Sequence, residues 1–115
     1  MDDVYLSRLG RDRFRAAIAF YPECLIRLLR LNAPLLILIG EEDDWTPAAR
    51  CRRMEVEARS SHDFTLKVYP GAYHEFDRRD RDADVYLGHR LERHDEAAID
   101  AEQRVRRFLT RHLGP

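Results

Sequence analysis

Apolar positions recur along this chain in two periods. Residues 34–40, Pro-Leu-Leu-Ile-Leu-Ile-Gly, make an unbroken apolar run that ends at a glycine, and four acids follow at once. A run of that length between proline and glycine predicts a strand buried on both faces. Ala16-Ala-Ile-Ala-Phe-Tyr21 is a second continuous run, stopped by Pro22, and predicts another buried strand. Phe64-Thr-Leu-Lys-Val-Tyr69 alternates apolar with polar residues, so the third strand should be half-exposed and near a sheet edge.

Helical spacing fills the intervals. Thr46-Pro47 reads as a helix start, a hydroxyl N-cap followed by proline at the first helical position. Ala48, Cys51, Met54 and Ala58 then share one apolar face. Asp95 opens a last helix whose stripe is Ala98, Ala101, Val105, Phe108, Leu109 and Leu113, with acids early, arginines late and Gly114 as a stop. Val4, Tyr5 and Leu9 suggest the end of a helix stopped by Gly10, and Arg11-Asp-Arg13 a polar turn. Residues 25–31 fit a short apolar helix or a packed loop, and 60–63 a turn. Residues 75–94 are dense in charge and are expected to be an irregular loop, functional or mobile. The order β-α-β-α-β-α predicts an α/β fold with about three parallel strands, right-handed crossovers and flanking helices.

Composition narrows the class. The chain has 115 residues, which makes one domain or part of one. Twenty basic residues against 21 acidic ones leave a net charge of -1, so no general pull toward nucleic acid or an anionic membrane surface is expected. Two cysteines, Cys24 and Cys51, do not make a disulfide framework, and the default expectation is a reducing cytoplasm. The first residues carry Asp2 and Asp3 and no apolar signal core, and no apolar run approaches a membrane span.

The chemistry concentrates at one edge of the sheet. Asp43 follows the strand ending at Gly40, and His74 follows the strand ending near Tyr69. Adjacent strands lie about 4.8 Å apart, so loops leaving the same edge can bring carboxylate to imidazole. An aspartate on Nδ1–H fixes the tautomer and stabilises the charged ring, which can then take and return a proton. The competing reading is equally plain from spacing: Asp43 caps the next helix and His74 is an ordinary loop residue. His74, His89, His94 and Asp43 match no standard zinc spacing, so no metal and no cofactor are expected. Trp45 and Tyr73 could line a substrate pocket or cover the start of a helix, and Tyr86 shares that ambiguity. Cys24 follows the strand ending at Tyr21 and could lie at the same edge, as a pocket residue or a resident nucleophile, with buried packing as its simpler role.

Gly40-Glu-Glu-Asp43-Asp-Trp-Thr-Pro47, followed by Tyr69-Pro-Gly-Ala-Tyr-His74-Glu-Phe-Asp77, resembles the C-terminal half of the dienelactone hydrolase family within the α/β-hydrolases. Phe14-Arg-Ala-Ala-Ile-Ala-Phe-Tyr-Pro22 looks like that family's strand after the nucleophile's helix. The resemblance implies a carboxylic ester or lactone hydrolase fold, with Asp43 rather than Asp44 as the triad acid and His74 as the base. The chain departs from the family in lacking a Gly-x-Ser-x-Gly or Gly-x-Cys-x-Gly elbow. The implied reading is a single domain over 1–115, the C-terminal part of a hydrolase domain, inactive alone. The alternative is a truncated, non-catalytic α/β module. Either way the strand at 14–21 would lack a neighbour, so a homo-oligomer (a dimer at simplest) or a chain supplying the N-terminal half is expected there.

Overall fold

A computed structural model describes residues 15–24, 33–58, 63–80 and 82–114. The expectations placed on residues 2–14, 25–31 and 60–62 lie outside the described residues.

Three parallel strands form the sheet: β1 (Ala17–Phe20), β2 (Leu35–Gly40) and β3 (Phe64–Tyr69), in spatial order β1-β2-β3. Ala17 sits opposite Leu35, and Leu35 opposite Phe64, so the three strands leave the sheet at the same edge. β2 is central and every one of its residues is buried. Its alternate side chains serve two cores. Leu35, Ile37 and Ile39 pack with Ala17 and with α1 (Ala48–Ala58), which contributes Ala48, Cys51, Met54 and Ala58. Leu36 and Leu38 face the other way, onto Tyr69, Ala72, Phe76 and α2 (Asp95–Leu113) through Ala97, Ala101 and Phe108. Helices on opposite faces explain why β2 reads as an uninterrupted apolar run. β3 pairs only with β2 among the described residues, and its mixed burial follows from that edge position.

Two expectations are corrected. The stretch 75–94 is not irregular throughout. It holds an antiparallel hairpin of β4 (Asp84–Tyr86) and β5 (His89–Leu91), with Tyr86 opposite His89. The two-residue connection Leu87-Gly88 has positive φ at both positions, 51° and 83°, the twist that closes a tight hairpin. Leucine in that conformation is uncommon, so the sequence carried no turn signal there.

The last helix is capped by His94, whose Nδ1 accepts a hydrogen bond from the Ala97 amide at 3.1 Å. Asp95 is its first helical residue. The second correction concerns the cysteines. Cys24 and Cys51 form a disulfide between the segment leaving β1 and the middle of α1, with Cα atoms 5.1 Å apart. Their separation of 27 residues gave no pairing pattern to read. The reducing-compartment expectation loses its ground with them.

Candidate functional site

The acid loop and the base loop are joined before any side chain is considered. The Glu41 amide donates to the Tyr69 carbonyl and the Glu42 amide to the Ala72 carbonyl, each at 2.9 Å. Gly40 lets the two backbones approach, because a Cβ there would overlap the Ala72 carbonyl. The base loop is pinned from its far side by the hairpin. His74 forms a bridge with Leu91, and the His94 amide donates to the Phe76 carbonyl at 2.9 Å. Glu75, next to the histidine, has φ 61°, a conformation of the kind that surrounding contacts must hold in place.

On this frame Asp43 Oδ2 and His74 Nδ1 are 2.7 Å apart. The Asp43 side chain is fully buried and that of His74 is 13% exposed. Asp43 Oδ1 accepts the amides of Trp45 and Thr46 at 2.9 and 2.8 Å. One oxygen therefore organises the turn before α1, as a capping residue would, while the other faces the imidazole. The two roles that spacing set against each other coexist in one carboxylate. Because a carboxylate only accepts, the ring proton sits on Nδ1 and leaves Nε2 as the proton-accepting nitrogen.

Aromatic rings surround the imidazole. Tyr21 lies edge-on to His74 at 4.4 Å, and Trp45 lies tilted over it at 5.2 Å. Tyr21 donates its hydroxyl proton to Asp77 at 2.9 Å. Burial, reinforced by the Asp77 carboxylate, pushes its phenol above the ordinary value of 10.0. Trp45 stacks on His89 at 4.7 Å and on Tyr86 at 5.9 Å, so it bridges the histidine and the hairpin.

The remaining residues singled out in the sequence disperse. Asp44 turns away from His74 to the hairpin, accepting the Arg90 amide at 3.3 Å, with His89 Nδ1 3.4 Å from the same carboxylate. Tyr73 lies beneath the Arg90 guanidinium, 4.3 Å from its ring centre. His94 is spent on the helix cap. Cys24 is buried and bonded to Cys51, so it brings no thiol to the site. Thr46 is not an N-cap of α1: its hydroxyl points to Asp43 and Tyr21 instead. Sequence reasoning missed Tyr21 and Thr46 as neighbours of the pair. The second of these could have been found from its place three residues beyond the acid.

A parallel sheet with an aspartate and a histidine hydrogen-bonded across the loops that leave two adjacent strands is a piece of the α/β-hydrolase architecture. The chain belongs to the dienelactone hydrolase family, whose model matches residues 3–113. A protein assigned as a dienelactone hydrolase in Klebsiella pneumoniae subsp. pneumoniae superposes with a TM-score of 0.72 at 25% identity, over 93% of this chain and 45% of that one. Esterase 2 of Thermogutta terrifontis shares the fold at 19% identity and a TM-score of 0.57, over 87% of this chain and 42% of the esterase. A monoacylglycerol lipase of Mycolicibacterium smegmatis is 43% identical over 72 residues, which are 63% of this chain and 25% of the lipase. The chain thus spans less than half the length of these relatives.

Proposed function

We propose that Asp43 and His74 are the acid and base of an ester- or lactone-hydrolysing site whose nucleophile is carried by polypeptide beyond these 115 residues. The 2.7 Å contact between Asp43 Oδ2 and His74 Nδ1 carries the reading. With Nδ1–H held by the carboxylate, Nε2 takes the proton of an attacking Ser or Cys. The imidazolium that results is stabilised by Asp43 and returns the proton to the leaving alkoxide. A water molecule activated by the same nitrogen then hydrolyses the acyl-enzyme. The family and the activities for which its relatives are named support carboxylic esters or lactones as the substrate class. The coverage of 45% of the Klebsiella protein supports reading the chain as the C-terminal part of such a domain.

Resident nucleophiles fit poorly. Both cysteines are in the disulfide, and no serine lies among the described residues. The Thr46 hydroxyl sits on the Nδ1 side of His74, opposite the nitrogen that would activate it. A second reading, a non-catalytic module that self-associates, draws on the same observation. In both readings the partner, a second copy or a chain bearing the N-terminal half, pairs along β1, which among the described residues has β2 as its only neighbour.

The experiment is a chimera. The nucleophile-bearing half of the Klebsiella relative is joined ahead of this chain and assayed with p-nitrophenyl acetate. The 115-residue chain alone should show background turnover, and the chimera should hydrolyse the ester. His74→Ala or Asp43→Asn in the chimera should cost on the order of 10⁴-fold in kcat. Activity that survives His74→Ala would end the proposal.

A further inference from the structure

Thr46 is 5% exposed, and its hydroxyl touches three groups at once. Its Oγ1 lies 3.0 Å from Asp43 Oδ2, 3.2 Å from His74 Nδ1 and 3.1 Å from the Tyr21 carbonyl oxygen. A hydroxyl has one proton and two lone pairs, so it cannot donate to both the carboxylate and the carbonyl. The carbonyl belongs to a residue held at φ 42°, at the exit of β1. That carbonyl, on a half-buried residue, lies against the buried Thr46 side chain, and a carbonyl screened from water without a donor is costly. Asp43 Oδ2, by contrast, already accepts the imidazole proton at 2.7 Å. Donation to Tyr21 therefore leaves the carbonyl and the carboxylate each with a proton to accept, and it turns a hydroxyl lone pair toward Nδ1–H.

We infer that Thr46 is a positioning residue for the acid–base pair: tethered to the Tyr21 carbonyl, its hydroxyl is a second acceptor for the His74 Nδ1 proton. Carboxylate and hydroxyl together hold that proton from two sides and fix the ring plane against rotation. The inference rests on the acid–base reading above and deepens it. It also ties β1 to a site otherwise built from the loops after β2 and β3.

Two substitutions separate the hydroxyl from the shape. Thr46→Val keeps the volume and the Thr46 amide bond to Asp43 Oδ1. Thr46→Ser keeps the hydroxyl and loses the methyl. The readout is the downfield proton resonance of His74 Nδ1–H and its exchange rate with water, in the full chain. A hydrogen bond is worth about 1 kcal/mol net, which corresponds to about fivefold. Thr46→Val is expected to speed exchange by about that factor, while the Trp45 and Thr46 amides keep their protection. Thr46→Ser is expected to match the wild type. A Thr46→Val protein exchanging at the wild-type rate, or a Thr46→Ser protein exchanging as fast as Thr46→Val, would overturn the inference while leaving the acid–base pair standing. A wild-type protein with no such proton would overturn both. Should Thr46→Val fail to fold, Thr46→Ser decides alone, since a purely steric role requires the methyl.

Discussion

Gly40 and Ala72 meet backbone to backbone, and the space between them excludes a side chain. The contact joins the end of β2 to the turn after β3, three residues before Asp43 and two before His74. It sets the span across which the 2.7 Å hydrogen bond forms. Gly40→Ala must push the Ala72 carbonyl, which is backbone and cannot swing aside. The expected cost is about 2 kcal/mol or more in urea unfolding. Loss of the His74 Nδ1–H resonance should accompany it even where the protein still folds. A Gly40→Ala protein with wild-type stability and an intact resonance would show that the two loops are placed independently.

The same contact shows how the site could be read in sequence. A strand buried on both faces needs an unbroken apolar run, and Leu35–Gly40 supplied one, so its end and the loop beyond were legible. The alternation in Phe64–Tyr69 gave β3, and the motif spacing gave Asp43 and His74 as the residues on the two loops. Other parts rest on contacts that leave no periodic trace. Tyr21 and Thr46 reach the pair through a backbone carbonyl and a single hydroxyl, across 25 residues of chain. The hairpin that pins His74 has strands of three residues, too short for a pattern of period two to stand out. The cysteines pair because the segment after β1 passes over α1, which only the folded arrangement reveals.

That pairing has a stability consequence. Cross-linking positions 27 residues apart removes loop freedom from the unfolded chain, worth about 3.5 kcal/mol in the chain-entropy account. Reduction with dithiothreitol, or the double change Cys24→Ala and Cys51→Ala, should lower the unfolding free energy by up to that amount. Thiol titration of the unreduced protein under denaturing conditions should find no free sulfhydryl. Two reactive thiols in that titration would refute the bond.

Leu87 offers the opposite test, a substitution expected to stabilise. Its φ of 51° disfavours a leucine, and its side chain is 74% exposed, so little packing is lost on replacement. Asparagine tolerates this conformation and is favoured before glycine in a tight hairpin. Leu87→Asn should add about 0.5–1 kcal/mol, a rise of a few degrees in Tm. Gly88→Ala meets no neighbour within 4 Å yet must adopt φ 83°, so it should cost a comparable amount. If both substitutions shift Tm in the same direction, the hairpin turn is not the one described.

The pH dependence of stability should be steepest in alkali, because two phenols are held neutral in the fold. Burial is the larger cause at Tyr21, followed by Asp77. At Tyr69 burial again leads, followed by the 2.7 Å hydrogen bond to Asp100. Both lie above the ordinary 10.0 in the folded state. A group raised on folding gives stability that is fully present below its unfolded value and lost as pH climbs past it. Unfolding free energy should therefore hold through neutral pH and fall from about pH 10 upward.

Tyr69→Phe should flatten that fall, and it should also change the acid limb. Asp100 is held below its ordinary 3.8, first by the Tyr69 hydroxyl and next by Arg104, whose Nε lies 2.6 Å away. A carboxylate lowered on folding stabilises above its unfolded value, and that contribution disappears as pH drops through the folded one. Tyr69→Phe removes the larger cause, so its acid limb should be shallower than that of the wild type. Tyr21→Phe should flatten the alkaline limb. Urea midpoints taken from pH 3 to 11 would check both, and wild-type and variant curves that run parallel above pH 10 would contradict the assignment.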